Sequence, residues 1–358
     1  MTRLLLADVG DLDVTAAVPA LAGRYAAAVV TLTLDVGQRG GIASSRARAL
    51  AAGAVRAHVI DAREEFAREY LLPVLRAGVL RADDLARPRA LLRTLVAAKL
   101  LEVAAMEGIT HVAHGWAPGT SGADHLARAI ARQNPDAVVI AAGVPPAPAS
   151  DRPADGSRRA CVESTLWWRR LAGAGDDAAG PGAPGAEAAA VLEVTFMEGF
   201  PVALNGIEMP LVELIEAADT IAGDHGVGRS VIRNEDGAAT MIDLPAAAAL
   251  IAAHGAITRA SESPLLQRLR RQVAGRYAAV LDAGEWISDA RPALDAFIAE
   301  AQKRATGTVR LRLRRGRCRV EGGRPPDALT PGPAPQLEPS RSAADADPGA
   351  PLNLVVSH

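Results

Sequence analysis

The sequence is short of cysteine and has no long apolar run. Its 358 residues contain two cysteines, Cys161 and Cys318, whose separation fits no metal-binding motif, so we expect two reduced thiols. Cys161 has no histidine near it in sequence and is not favoured as a nucleophile. No apolar segment approaches the roughly 20 residues that a membrane helix needs. Asp8 interrupts the apolar stretch at residues 4–7, which argues against a signal peptide and predicts a first strand.

Lysine is also scarce, since Lys99 and Lys303 are the only two. The other basic residues are arginine, and with abundant Ala, Gly and Pro they indicate a compositional bias. Hydrophobic residues make up 49% of the chain, charged residues 22%, and the net charge is -2. This balance predicts a soluble cytoplasmic protein with no nucleic-acid or membrane partner. Arginines alternate with apolar residues at 309–314, which fits a half-exposed strand with a solvated face rather than a nucleic-acid patch.

Short apolar segments alternate with helical patterns through residues 1–145. This alternation predicts an α/β domain with a parallel sheet that is covered on both faces. Ligands of such sheets lie at the carboxyl ends of the strands, which here are the loops after Ala7, Leu34 and Ala113. The predicted strands are residues 3–7, 28–34, 56–60, 110–113 and 137–141, and the predicted helices are residues 14–25, 44–52, 91–106 and 124–133.

The remaining chain divides into three further parts. Residues 146–190 are rich in Pro, Gly and Ala and predict a linker or insertion, interrupted by a structured segment around Trp167 and Trp168. Residues 191–322 predict a second α/β domain, with a helix at 210–222 that Gly223 would end. Its other predicted helices are 246–253, 264–283 and 290–304, and its predicted strands are 192–196, 201–204, 308–313 and 317–320. The composition of residues 323–358 predicts a disordered tail.

The junction of the first strand and the first helix carries a recognisable loop. Residues 6–15 read Leu-Ala-Asp-Val-Gly-Asp-Leu-Asp-Val-Thr. This loop resembles the pyrophosphate-binding loop of the argininosuccinate synthase family, Leu-Ala-Tyr-Ser-Gly-Gly-Leu-Asp-Thr-Ser. Further segments resemble the same family in the same order, over roughly residues 3–322. They are residues 31–38, 59–66, 113–115, 133–136, 201–206, 221–229, 293–298, 306–311 and 318–320.

The resemblance implies a fold and a reaction. It implies a PP-loop domain of the adenine nucleotide alpha-hydrolase type, followed by a synthetase and multimerisation domain, usually assembled as a homotetramer. It implies that ATP with Mg²⁺ activates citrulline as citrullyl-AMP with release of pyrophosphate. The amine of aspartate then displaces AMP to give argininosuccinate, a step of arginine biosynthesis.

The loop departs from the family where phosphate would bind. Such a loop binds phosphate through backbone N–H groups, hydroxyl donors and the positive end of the helix dipole. Here the serine is Val9, the second glycine is Asp11 and the threonine is Val14, whereas Gly10 and Asp13 are kept. A carboxylate about 4 Å from a phosphate oxygen costs on the order of 4 kcal/mol at an effective dielectric of about 20. That corresponds to roughly a thousandfold in affinity.

Two readings of this acidic loop stay open. Asp8, Asp11 and Asp13 could hold a Mg²⁺ ion that offsets the repulsion, or they could be solvated residues in a loop that does not bind ATP. We predict no resident metal site. His111 and His114 form a His-x-x-His pair, but positions three apart on a strand face opposite sides.

The resemblance also assigns the candidate site residues. Asp13 and Arg93 are the catalytic candidates, and Arg93 and Asp124 are the candidates for contact with substrate. Asp124 could instead be the N-cap of the helix that follows it. The cofactor-binding candidates are Ala7, Gly10, Asp13, Thr15, Leu34, His114 and Gly115.

Three functions follow as hypotheses, because the altered positions fall on substrate loops while the core-building segments persist. The first is a weak or lost ligation of citrulline with aspartate. The second is a ligase for other amine and ureido substrates. The third is a non-catalytic pseudoenzyme that acts as an oligomeric partner.

Overall fold

The first part of the chain is built on a parallel sheet. The structure is a computed structural model that describes residues 2–8, 13–38, 42–82, 85–143, 164–170, 188–233 and 239–324. Its first five strands are β1 (Thr2–Ala7), β2 (Ala27–Asp35), β3 (Arg56–Asp61), β4 (His111–His114) and β5 (Val138–Ala141). They lie in the order β3-β2-β1-β4-β5, and every pairing is parallel. The predicted parallel α/β sheet is therefore confirmed.

Helices alternate with these strands and cover both faces of the sheet. A helical stretch at residues 63–77 was not predicted; it contains a π-helical turn, after which Pro73 lies in the first turn of the next helix. Thr120 caps the helix after β4, since its hydroxyl accepts from the Ala123 backbone N–H at 3.3 Å. The alternative that Asp124 is this N-cap is therefore wrong. The helices are α1 (Val14–Tyr25), α2 (Ile42–Ala51), α3 (Arg63–Glu65), the π-helix Phe66–Leu71, α4 (Leu72–Ala77), α5 (Ala86–Glu107) and α6 (Ser121–Gln133).

An ion-pair cluster fixes the end of α5 to the amino-terminal edge of this sheet. Glu107 contacts Arg3 at 2.6 Å, Arg56 at 2.7 Å and His58 at 2.8 Å. Hydrogen bonds from Arg3, then Arg56 and His58, lower the pKa of Glu107 to about 2. Because an α-helix rises about 1.5 Å per residue, Arg93 lies roughly 20 Å back along α5, towards the opposite, carboxyl edge.

The second part of the chain contains two further sheets. Strands β6 (Arg169–Arg170), β10 (Arg229–Arg233) and β11 (Ala239–Asp243) form one sheet in the order β10-β11-β6. The other has the order β13-β12-β7-β8-β9 and consists of β7 (Ala190–Met197), β8 (Phe200–Leu204), β9 (Ile207–Glu208), β12 (Gly307–Arg314) and β13 (Arg317–Arg324).

Four helices complete this part; the first two pack against the five-stranded sheet, and the last two pack against each other and against α4. They are α7 (Leu211–Asp224), α8 (Pro245–Ser261), α9 (Pro264–Asp282) and α10 (Ala290–Gln302). The prediction that Gly223 ends α7 is wrong, since His225 is the C-cap. Gly223 stays helical and lies against Pro245, where a side chain would meet Cγ at 3.5 Å.

A short tryptophan-containing segment joins the two parts. The Leu166 backbone N–H donates to the Val36 carbonyl at 2.8 Å, just after β2, and Trp167 and Trp168 are buried. Gly37 has φ 86°, and a Cβ there would lie 2.7 Å from that of Leu166. This contact therefore requires glycine at position 37 for two reasons. The backbone has positive φ, and there is no room for a side chain.

The predicted linker falls mostly, and the predicted tail almost entirely, outside the described residues, so the domain boundaries stay predictions. β13 continues to Arg324, two residues beyond the predicted end of the second domain. Within the described ranges, no helix combines the length and apolarity that a membrane span requires.

Candidate functional site

The carboxyl edge of the first sheet brings together several of the predicted residues. In the strand register, Ala7 pairs with Leu32 of β2 on one side and with His114 of β4 on the other. The Asp8 backbone N–H donates to the Leu32 carbonyl at 2.8 Å, so β1 stays paired one residue beyond its end. The residues that follow β1, β2 and β4 therefore lie side by side at the carboxyl edge, where ligands of parallel α/β sheets bind.

Asp8 is a buried carboxylate at this edge. It is 8% exposed, and the Thr33 hydroxyl donates to its Oδ2 at 3.0 Å. Burial raises the pKa of Asp8, and the charge of Asp13 raises it further, while the Thr33 hydrogen bond and Arg48 oppose the shift. A negative charge at this position is therefore disfavoured by its own surroundings.

The amino terminus of α1 is capped by a carboxylate. Asp13 is the N-cap residue, and its Oδ1 accepts from the Thr15 backbone N–H at 3.0 Å and from the Thr15 hydroxyl at 2.6 Å. Both predicted residues are thus bonded to each other at the positive end of the helix dipole. Gly10 and Asp11, also predicted to shape this loop, lie outside the described residues.

The end of β2 is organised by a glutamine side chain. Gln38 Nε2 donates to the Leu34 carbonyl at 2.6 Å, and Gln38 Oε1 accepts from the Val36 backbone N–H at 2.7 Å. Gln38 is buried. Leu34 was predicted as a cofactor contact, and in this structure its carbonyl is bonded within the loop.

His114, Trp116 and Arg93 lie close together at the carboxyl end of β4. The His114 and Trp116 ring centroids are 5.7 Å apart, and Arg93 Cζ lies 6.0 Å from the Trp116 centroid. Burial lowers the pKa of His114 to about 4, so its imidazole is neutral at pH 7. Of the predicted residues, Arg93 and His114 are brought together here through Trp116, which sequence reasoning did not select.

Arg93 also packs on the first turn of α6. A Cβ at Gly122 would lie 2.8 Å from Arg93 Nη2, so glycine makes room for the guanidinium. Asp124 lies in the same turn but is exposed. Gly115 follows β4 in the loop that leads to Trp116.

A buried hydroxyl–imidazole pair joins α5 to α6 beneath this group. The Thr94 hydroxyl donates to the Ala90 carbonyl at 2.9 Å, so His125 Nε2, at 3.2 Å, is the donor to that hydroxyl. Burial, then the charges of Arg93 and Arg128, lower the pKa of His125 to about 4. The pair is a buried polar link between α5 and α6.

The described part of this edge offers carboxylates, a neutral imidazole and several guanidinium groups, among them Arg93, Arg48 near Asp8 and Arg63 near Asp35. No group of three or more His, Cys, Asp or Glu side chains suited to a metal ion occurs among the described residues. Sequence reasoning missed Thr33, because its role depends on which strands are neighbours; Gln38 lies in a segment that resembles the family, but its hydrogen bonds were not predicted. The alternation of strands and helices predicts that the site lies at the carboxyl edge of the sheet, but it does not predict which strands are neighbours.

Family models match both parts of the chain. The model described as the arginosuccinate synthase N-terminal HUP domain matches residues 3–145, and that described as the arginosuccinate synthase C-terminal domain matches residues 181–331. The first match covers the parallel sheet and its carboxyl edge. The second covers β7 to β13 and the helices between them.

Curated relatives resemble this chain over most of their length. An argininosuccinate synthase of Brevibacillus brevis is 31% identical over 89% of this chain and 83% of the relative. One from Rubrobacter xylanophilus is 32% identical over 83% of this chain and 80% of the relative. One from Desulfitobacterium hafniense is 29% identical over 92% of this chain and 89% of the relative. With both domain models matched in order, the chain belongs to the argininosuccinate synthase family.

Proposed function

We propose that this chain is an argininosuccinate synthase-like protein in which the ATP-dependent ligation of citrulline with aspartate is weak or lost. The observation that carries the proposal is the buried carboxylate of Asp8 at the carboxyl edge, with the Asp13 carboxylate near enough to raise its pKa. A polyphosphate chain at this edge would meet two carboxyl groups, and its own negative charge would disfavour the ionised form of Asp8 further. In a site of low dielectric, such repulsion is stronger than in water.

The hydrogen bonds of two hydroxyl groups at this edge support weak binding of a polyphosphate. The Thr15 hydroxyl donates to Asp13, and the Thr33 hydroxyl donates to Asp8. These two hydroxyl groups thus donate to carboxylates rather than to a phosphate. The first turn of α1 contributes no basic side chain. We derive no reaction step through ATP from this arrangement.

The test is a titration of ATP with Mg²⁺ into the purified chain. We expect no binding tighter than about 1 mM, because the repulsion from one carboxylate alone corresponds to roughly a thousandfold in affinity. The double variant Asp11→Gly with Val9→Ser is expected to gain affinity. Asp136→Gly with Val138→Ser makes the same chemical changes at the amino-terminal end of β5 and serves as the matched control.

Two results would contradict the proposal. One is micromolar ATP binding by the unaltered chain. The other is formation of argininosuccinate at an ordinary enzyme rate, about 1 per second or more. Equal gains in the loop variant and in the control would show that the loop is not the reason for weak binding.

A second candidate function is ligation of other amine or ureido substrates. The Trp116 indole favours it, because it places a flat aromatic surface between His114 and Arg93. Release of pyrophosphate with a panel of such substrates would support this function. Its absence, together with no ATP binding, supports the non-catalytic role as an oligomeric partner. We expect a homo-oligomer in the cytoplasm, which light scattering and cell fractionation would test.

A further inference from the structure

The outer face of the sheet formed by β7, β8, β9, β12 and β13 carries a dense group of arginines. Along β12, the apolar residues Val309, Leu311 and Leu313 are buried, and the arginines between them are exposed. β13 pairs with β12 and adds exposed arginines to the same side. We call this group the arginine face; it consists of Arg310, Arg312, Arg314, Arg315, Arg317 and Arg319.

The strand register places like charges directly opposite each other. Arg312 pairs with Arg319, and Arg314 pairs with Arg317. Paired residues of antiparallel strands project from the same face, so each pair brings two guanidinium groups together, which is destabilising. Two carboxylates offset part of this charge. Glu321 contacts Arg312 at 2.8 Å and Arg310 at 3.9 Å, and Glu193 of β7 pairs with Arg310.

The turn between these strands adds a second cost. Arg315 and Gly316 both have positive φ, 46° and 77°, which is the conformation of a two-residue hairpin turn that favours Asn-Gly. Arginine is disfavoured in the left-handed region, because its Cβ comes too close to the following carbonyl oxygen. The hairpin therefore carries arginine at three places where folding alone favours another residue.

We propose that the arginine face binds the phosphodiester backbone of nucleic acid. Arginine suits this contact, because its planar guanidinium group binds phosphate oxygens bidentately and keeps its charge. Residues 307–324 include no aromatic residue, so base stacking has no platform here and the contact is independent of base sequence.

Other occupants fit this face less well. A second copy docked face to face would bring twelve guanidinium groups together. An acidic peptide gains little affinity from each exposed ion pair. Nucleic acid also releases condensed counterions, which makes several arginine contacts sufficient for non-specific binding with Kd of about 10⁻⁴–10⁻⁶ M. The alternation of arginine and apolar residues along β12 by itself indicates only a solvated face. The arginines of β13 beside it increase the positive charge on that face.

The experiment is fluorescence anisotropy of the full chain with a labelled 20-base-pair DNA duplex at 50–200 mM salt. We expect Kd on the order of 10⁻⁶ M at 50 mM salt and a slope of log K against log salt of about -4. Arg312→Gln with Arg319→Gln is expected to weaken binding at least about tenfold and to reduce the slope by about two. Arg268→Gln with Arg276→Gln removes the same charge from exposed positions of α9 and should leave both values unchanged.

Arg315→Asn separates binding from folding. This change removes one charge and places a favoured residue in the turn, so we expect a higher Tm together with weaker DNA binding. The proposal is overturned if no binding is seen at 1 mM protein, or if the α9 control weakens binding as much as the hairpin variant. Displacement of DNA by polyglutamate at equal charge concentration would also overturn it, in favour of an acidic protein partner.

Discussion

Removal of the Arg169 guanidinium is expected to destabilise the second part of the chain more than most single substitutions. Arg169 in β6 lies between two carboxylates, Asp219 of α7 and Asp243 of β11. Nη2 contacts Asp243 Oδ2 at 3.0 Å, and Nη1 forms an ion pair with Asp219. The side chains of Arg169, Asp219 and Asp243 are 15%, 13% and 7% exposed, so water screens the cluster poorly.

The magnitude follows from what the substitution leaves behind. In Arg169→Met the two buried carboxylates lose their common cation, whereas the aliphatic packing is largely kept. Breaking a buried ion pair in this way costs about 3–5 kcal/mol, because an uncompensated charge remains. With a shift of about 2–4 °C per kcal/mol, Tm is expected to fall by roughly 6–20 °C.

Urea unfolding of three variants tests this reasoning. Arg169→Met alone should be strongly destabilised. Arg169→Met with Asp219→Asn and Asp243→Asn should recover most of the loss, since no buried charge is left without a partner. Arg271→Met, at an exposed position of α9, is the control for loss of an arginine. If the triple variant is as unstable as the single one, packing rather than charge determines the loss of stability.

Two further predictions concern the joint between the parts and the buried histidines. Gly37→Ala should cost about 2 kcal/mol or more, because it combines a disfavoured positive φ with a contact to Leu166, and thermal unfolding would measure it. Burial lowers the pKa of His114, His125 and His254 to about 4, so the unfolded chain binds more protons than the folded one below about pH 6.5. Stability should therefore fall from pH 6.5 towards pH 4, by up to about 1.4 kcal/mol per pH unit for each histidine, and His254→Gln should reduce that slope in urea titrations.

The fold was predictable where one physical signal dominated. A strand that is buried on both faces appears in the sequence as a short apolar segment. When such segments alternate with helices, a parallel sheet is the expected arrangement. The stretch at residues 63–77 escaped prediction because its π-helical turn shifts the helical period just before Pro73. The end of α7 was misplaced because Gly223 serves close packing against Pro245 and does not adopt positive φ.

The candidate site was predictable only at the level of the sheet edge. The resemblance placed Arg93 and His114 among the site residues, but the indole of Trp116 that connects them follows from the path of the loop after β4. Thr33 is one of several buried threonines and valines in β2, and only the pairing of β1 with β2 shows that it serves Asp8. Such contacts depend on register, which local sequence patterns do not encode.

The buried carboxylate of Asp8 also indicates which substrates to examine first. A carboxyl group whose pKa is raised by burial destabilises the folded state at neutral pH, whereas an asparagine would keep the hydrogen bond from Thr33 without that cost. A cation at this edge would remove the cost, because an opposite charge favours the ionised form. A phosphate would increase it. In the assay of pyrophosphate release, amine substrates that carry a positive charge should therefore be tested before anionic ones. A preference for anionic substrates would contradict the role assigned to Asp8.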